Sequence, residues 1–141
     1  MKQFFDSSVL IAALWEGHVH HQPSFRRFES AAVRRSSCAV HTLAEVYAVM
    51  TALPLKPVIP PEQGLLFVEE LRSRLTTISL TADEYHATIR SASDRGLVGG
   101  RIYDALLLRC AEKANAEVIY TWNLKHFRSL APHLAARIET P

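Results

Sequence analysis

Five short stretches fix what this chain can become: "KQFF" (2–5), "SSCAV" (36–40), "TTISL" (76–80), "EVIY" (117–120) and "ARIE" (136–139). Each is only four or five residues long, and helical sequence separates them. Short strands that read as nearly continuous apolar runs belong to a sheet covered on both faces, and regular alternation with helices makes that sheet mostly parallel. The pattern therefore predicts an α/β domain. Ligands of such sheets sit at the carboxyl ends of the strands, where Asp6 and the run Thr121, Trp122, Asn123 stand.

The helical segments follow from their boundaries. Asp-Ser-Ser after "KQFF" suits a helix over 9–15 capped by Ser7 or Ser8 and ended by Gly17. Pro23 predicts the start of a helix over 24–35, with Phe25 and Phe28 on one face. Residues 41–53 form a helix closed by Pro54, and the loop "PLKPVIPP" leads to another over 62–74. Further helices are expected over 82–95 and 102–116, with a glycine-containing loop at 96–100 between them.

At 141 residues, 48% apolar and 21% charged, the chain has the balance of one globular domain, 1–141. A chain of this size buries roughly two-thirds of its unfolded surface and needs no disulfide to fold. Cys38 and Cys110 stand apart with no metal-binding spacing and read as buried thiols of a reducing, cytoplasmic setting. No apolar run approaches the roughly 20 residues of a membrane span, and Asp6 interrupts what would be the apolar part of a signal peptide. The formal net charge of +2 permits an anionic partner without requiring one. "RRFESAAVRR" concentrates positive charge, either as a solvated face or as a phosphate-contacting patch.

Three acidic residues lie among apolar neighbours: Asp6 in "FFDSSV", Glu45 in "TLAEVYAVM" and Asp104 in "RIYDALLL". Each has a structural explanation of its own. Asp6 can accept bonds from the backbone amides that follow it, Thr42 and Glu45 have the spacing of a capping box, and Asp104 falls in a first helical turn. Yet Leu108 and Ala111 share a face with Asp104, and Val46 and Val49 follow Glu45 closely. Carboxylates gathered together raise one another's pKa unless a divalent cation sits among them, and oxygen-only ligands favour Mg²⁺ or Mn²⁺ over zinc.

Four stretches in order, "FFDSSVLIAAL", "HTLAEVYAVM", "GGRIYDALLLRCA" and "VIYTWNLKHF", resemble the PIN-domain ribonucleases, and within them the VapC-type toxins of bacterial toxin–antitoxin pairs. The resemblance implies a three-layer α/β/α sandwich around a central, mostly parallel sheet of four or five short strands. It also implies a Mg²⁺- or Mn²⁺-dependent endoribonuclease with an RNA substrate, a cognate antitoxin and a homodimeric form, and no membrane partner.

Carried over by position, Asp6, Glu45 and Asp104 match the family's acidic ligands, and Asn123 falls where many members have Asp. An amide there keeps an oxygen but gives up a charge, which weakens a second metal site. Thr121 matches a hydroxyl that contacts water or phosphate. Ser7 and Ser8 stand as small polar supports beside Asp6, and Arg101 as a candidate substrate contact.

Two alternatives use the same residues. One is a PIN-like protein that binds RNA or a partner without cutting, weakened at Asn123. The other is a phosphatase with Asp6 as nucleophile, which wants a second Asp where Ser8 stands. The histidines of "GHVHH" lack companions for a zinc site, and "GLVGGR" lacks the Lys-Ser/Thr of a phosphate-binding loop.

Overall fold

A computed structural model of the chain describes residues 2–141. The strands β1 (Gln3–Phe5), β2 (Ser36–Ala39), β3 (Thr76–Ile78), β4 (Val118–Tyr120) and β5 (Ile138–Glu139) form one sheet in the order β3-β2-β1-β4-β5. All four pairings are parallel. From β1 the chain winds outward through β2 and β3, then returns to place β4 on the other side of β1. The topological switch point therefore falls between β1 and β4, where a parallel sheet leaves a crevice beyond its carboxyl ends.

Adjacent residues of β1 show why both faces must be covered. Phe4 and Phe5, both fully buried, point to opposite sides, as the pleat requires. Phe4 packs with Leu107, Leu108 and Ala111 of α6 (Arg101–Lys113) and with Phe127 and Leu130 of α7 (Leu124–Leu130). Phe5 packs with Val9 and Leu10 of α1 (Ser7–Leu14), Phe28 of α2 (His21–Glu29), Val46 and Met50 of α3 (Val40–Ala52) and Leu71 of α4 (Pro61–Arg74). Those two cores make the three-layer α/β/α sandwich that the strand pattern and the resemblance imply. The remaining helix, α5 (Ala82–Asp94), packs on α6 and starts at a capping box formed by Thr81 and Glu84.

Helix boundaries differ from expectation in places where tertiary contacts decide them. α2 ends at Glu29 instead of continuing to residue 35, because residues 30–35 tighten into turns closed by the amides of Arg35 and Ser36 on the Ala32 carbonyl. Arg74 from α4 then donates to the exposed Glu29 carbonyl at 2.8 Å. α3 begins one residue early, at Val40, and α7 was not foreseen. Gly64 permits close packing of α4 on α3, since a Cβ there would lie 2.6 Å from Thr51 Cγ2.

Both cysteines are buried and free, and burial pushes their thiols up to about 12 (Cys38) and about 11 (Cys110). That makes them packing residues rather than nucleophiles. Among the described residues no helix is long and apolar enough to cross a membrane.

Candidate active site

Asp6 is the first residue beyond β1 and the N-cap of α1, with its backbone extended (φ −70°, ψ 153°). Its side chain makes no capping bond. The carboxylate is 3% exposed and accepts two hydroxyl hydrogen bonds at the same oxygen, Oδ2: from Ser8 at 2.6 Å and from Thr121 at 2.9 Å. Ser7 and Ser8 therefore do not cap α1 as expected. They occupy its first turn, where their hydroxyls serve the carboxylates.

Those bonds bind the loop after β4 to Asp6. The amide of Trp122 donates to Ser8 Oγ at 3.1 Å and that of Asn123 to Thr121 Oγ1 at 3.0 Å. Each hydroxyl thus accepts from the loop backbone and passes its own hydrogen to Asp6. The Asp6 amide completes the junction by donating to the Tyr120 carbonyl at 2.9 Å. Behind the loop, Trp122 stacks on His20 at 3.8 Å between ring centroids and donates Nε1–H to the fully buried Ser24 hydroxyl at 2.9 Å. The histidines at 18, 20 and 21 are thus engaged in ring and backbone contacts rather than gathered as a metal site.

Glu45 and Asp104 approach from α3 and α6. The capping box proposed for Thr42 and Glu45 does not form, because α3 starts at Val40 and places Glu45 in its second turn. Thr42 instead meets Ser7 across the helix interface, Oγ1 to Oγ at 2.9 Å, and the Ser7 hydroxyl also works to lower the Glu45 carboxyl. Glu45 lies 3.4 Å from His41 Nε2, and Asp104 lies 2.9 Å from His126 Nε2.

Burial dominates the electrostatics of all three carboxyls. It pushes Asp6 up to about 6, against the pull of the Ser8 and Thr121 hydrogen bonds and with added repulsion from Asp104 and Glu45. Burial raises Glu45 and Asp104 as well, offset in part by His41 and by His126. The fold therefore brings the three predicted acids within electrostatic reach of one another. Among the described residues, however, no three His, Cys, Asp or Glu side chains form a closed ligand set, and Asp104 and Glu45 are each drawn toward a histidine.

The other predicted positions are less engaged. Asn123 is exposed and N-caps α7 without a side-chain bond, holding the loop through its backbone. Arg101 is half-buried and opens α6 three residues before Asp104. Arg34 and Arg35 lie just before β2, at the opposite end of the sheet from Asp6, so the "RRFESAAVRR" cluster does not line this crevice as a whole.

A family model described as the PIN domain matches residues 4–131, which contain every residue of this site. The chain belongs to the PIN-domain family. This PIN domain is 30% identical over 118 residues to Ribonuclease VapC40 of Mycobacterium tuberculosis, with 81% of each chain covered. Its fold is shared with the crystal structure of Mycobacterium tuberculosis VapC20, a sarcin–ricin-loop-cleaving toxin: TM-score 0.71, 15% identity, 91% of this chain and 95% of that one. It is shared also with VapBC2 of Rickettsia felis, solved bound to a promoter DNA fragment: TM-score 0.66, 19% identity, 100% and 99% covered. VapBC-1 of nontypeable Haemophilus influenzae gives a TM-score of 0.65 at 17% identity, with 99% and 98% covered.

Sequence reasoning missed His41 and His126 in this PIN domain. The spacing of His41 four residues before Glu45 on one helix was a readable signal for the first. His126 reaches Asp104 from another helix, and no local pattern announces that.

Proposed function

We propose that the chain is a metal-dependent endoribonuclease, the toxin of a type II toxin–antitoxin pair, with Mg²⁺ or Mn²⁺ as its cofactor. The observation that carries this reading is the Asp6 carboxylate: 3% exposed at the switch point, held by two hydroxyls and within electrostatic reach of two further carboxylates. Burying that charge is costly without a compensating cation. An oxygen-only donor set suits a hard divalent ion, so the donor chemistry fits the proposed metal, although Glu45 and Asp104 would have to turn from their histidines to join Asp6.

Asp6 and Asp104 would hold the ion, and Glu45 would hold it or orient the water beside it. A divalent ion bound there would lower the pKa of a water so that it can give up a proton and attack a phosphodiester, and would offset the charge that develops on the phosphate. The chain's own residues do the rest. Ser8 and Thr121 fix one oxygen of Asp6, so its other oxygen has a set direction. Asn123 sits at the exposed lip of the crevice, where an amide can meet a phosphate or a water. Arg101 adds positive charge at the start of α6.

Partners follow from the relatives. Two structural neighbours are VapBC assemblies, which supports a cognate antitoxin, and α3 and α4 leave Tyr47, Leu65 and Leu66 exposed as apolar surface for a partner chain or a second copy.

The deciding experiment incubates the protein with structured RNA in Mg²⁺ or Mn²⁺, with and without chelator, beside the Asp6→Asn and Asp104→Asn variants. Cleavage that needs the ion and vanishes in both variants is the expected result; cleavage surviving both substitutions overturns the assignment. Toxicity on expression, relieved by the product of a short neighbouring reading frame, tests the toxin role separately.

A further inference from the structure

A second cleft of about 150 Å³ opens between the carboxyl ends of β2 and β3, Tyr85 of α5 and α6 from Tyr103 to Cys110. Its floor is apolar, with Ile78, Leu80 and Leu107, and three rings line it: His41, Tyr85 and Tyr103. Tyr103 is 57% exposed and Tyr85 46%, so two large aromatic rings are held in water beside a charged site.

Two of these rings also belong to the neighbourhood of the acids. His41 contacts Glu45, and Tyr103 immediately precedes Asp104. The His41 and Tyr103 ring planes are nearly parallel, 8° apart, but their centroids are 6.3 Å from each other. The closed stack of His20 on Trp122 has its centroids at 3.8 Å. The His41–Tyr103 pair is the wider of these two parallel ring contacts, and Tyr103 keeps much of its ring in solvent.

Resting on the ribonuclease reading above, we propose that this cleft is a nucleobase subsite: one unpaired base of the RNA substrate stacks on Tyr103 beside His41, which brings its adjoining phosphodiester to Asp6 and Asp104. An unpaired base needs a flat aromatic partner and an apolar slot, and single-stranded RNA is held in this way because its bases can splay out of the chain. Continuity with the carboxylates favours RNA over a protein side chain as the occupant.

The test is steady-state cleavage by wild type, Tyr103→Phe and Tyr103→Ala, on an oligoribonucleotide and on versions with a single abasic position moved along it. Tyr103→Ala should raise KM about tenfold or more with a smaller effect on kcat, as loss of one base stack does. Tyr103→Phe, which keeps the ring, should stay within about twofold of wild type. One abasic position should reproduce in wild type the loss caused by Tyr103→Ala, and add nothing in that variant. Cleavage by wild type with KM unchanged in Tyr103→Ala overturns the subsite alone and leaves the cleft to a protein partner. A wild-type protein that cuts no RNA overturns the ribonuclease reading and the subsite with it.

Discussion

Thr121 gives its hydroxyl hydrogen to Asp6 Oδ2 at 2.9 Å, linking residues 115 positions apart across the switch point of the sheet. The same hydroxyl accepts from the Asn123 amide, so one buried oxygen fixes both the central carboxylate and the loop that closes over it. Thr121→Val keeps the shape and removes both bonds. It should cost about 1–3 kcal/mol in urea denaturation, since a buried acceptor and a loop donor lose their partner together. Loss of RNA cleavage should exceed what the stability change explains. Stability within experimental error of wild type would show that the relay does not hold the loop.

The raised pKa of Asp6 makes a prediction about pH. Its folded value of about 6 lies above the ordinary 3.8, so the proton binds the folded chain more tightly and the ionised form penalises folding. That penalty is absent below pH 3.8, grows between there and about 6, and is complete above it, at about 3 kcal/mol. Glu84 behaves in the opposite sense, with a carboxyl held down near 2 first by its bond from Lys113, but its contribution is constant above pH 4.5. Burial and the neighbouring His20 and His21 lower His18, which works against folding in acid through the same window, so the Asp6 effect is read as a difference. Between pH 7.5 and 5 the metal-free wild type should gain stability relative to Asp6→Asn, which is uncharged at every pH, as pH falls. A difference between wild type and Asp6→Asn that stays constant through this window would contradict the assignment of a strained Asp6.

How much of this was readable in advance depends on whether the cause is local. The parallel sheet could be read because "KQFF" and "EVIY" need cover on both faces, and Phe4 and Phe5 do point into separate cores. Asp6, Glu45 and Asp104 could be singled out because a carboxylate among apolar neighbours needs an explanation wherever the chain takes it. The resemblance set Ser7 and Ser8 beside Asp6, but the bonds they and Thr42 make could not be read. Their spacing satisfies capping rules, and only the packing of α1 against α3 and of the Thr121 loop against α1 shows that their hydroxyls turn to the carboxylates and to one another. The end of α2 at Glu29 was hidden in the same way, since the contact from Arg74 comes from 45 residues along the chain.

His126 offers a test of how Asp104 is held. Burial raises this carboxyl, and the His126 contact at 2.9 Å works against that rise. His126→Ala should therefore move the Asp104 pKa further up, as read from carboxyl carbon shifts in an NMR titration. The acid limb of any cleavage profile should shift to higher pH with it. An unmoved Asp104 titration would mean that the contact does not persist in solution.

Asn123 offers a test of the proposed metal site. It is exposed at the N-cap of α7, where Asn and Asp are nearly equal as caps, so Asn123→Asp should leave metal-free stability within about 0.5 kcal/mol of wild type. An added carboxylate at the lip of a site already carrying Asp6, Glu45 and Asp104 should instead raise the demand for a cation. Mn²⁺ affinity, measured by calorimetry, should tighten about tenfold, because divalent-ion affinity follows the number of charged oxygens offered. The thermal midpoint should then rise on adding Mn²⁺ more steeply in the variant than in wild type. Equal affinity in the two proteins would place position 123 outside the ion's reach, leaving its backbone bond to Thr121 as its whole contribution to the site.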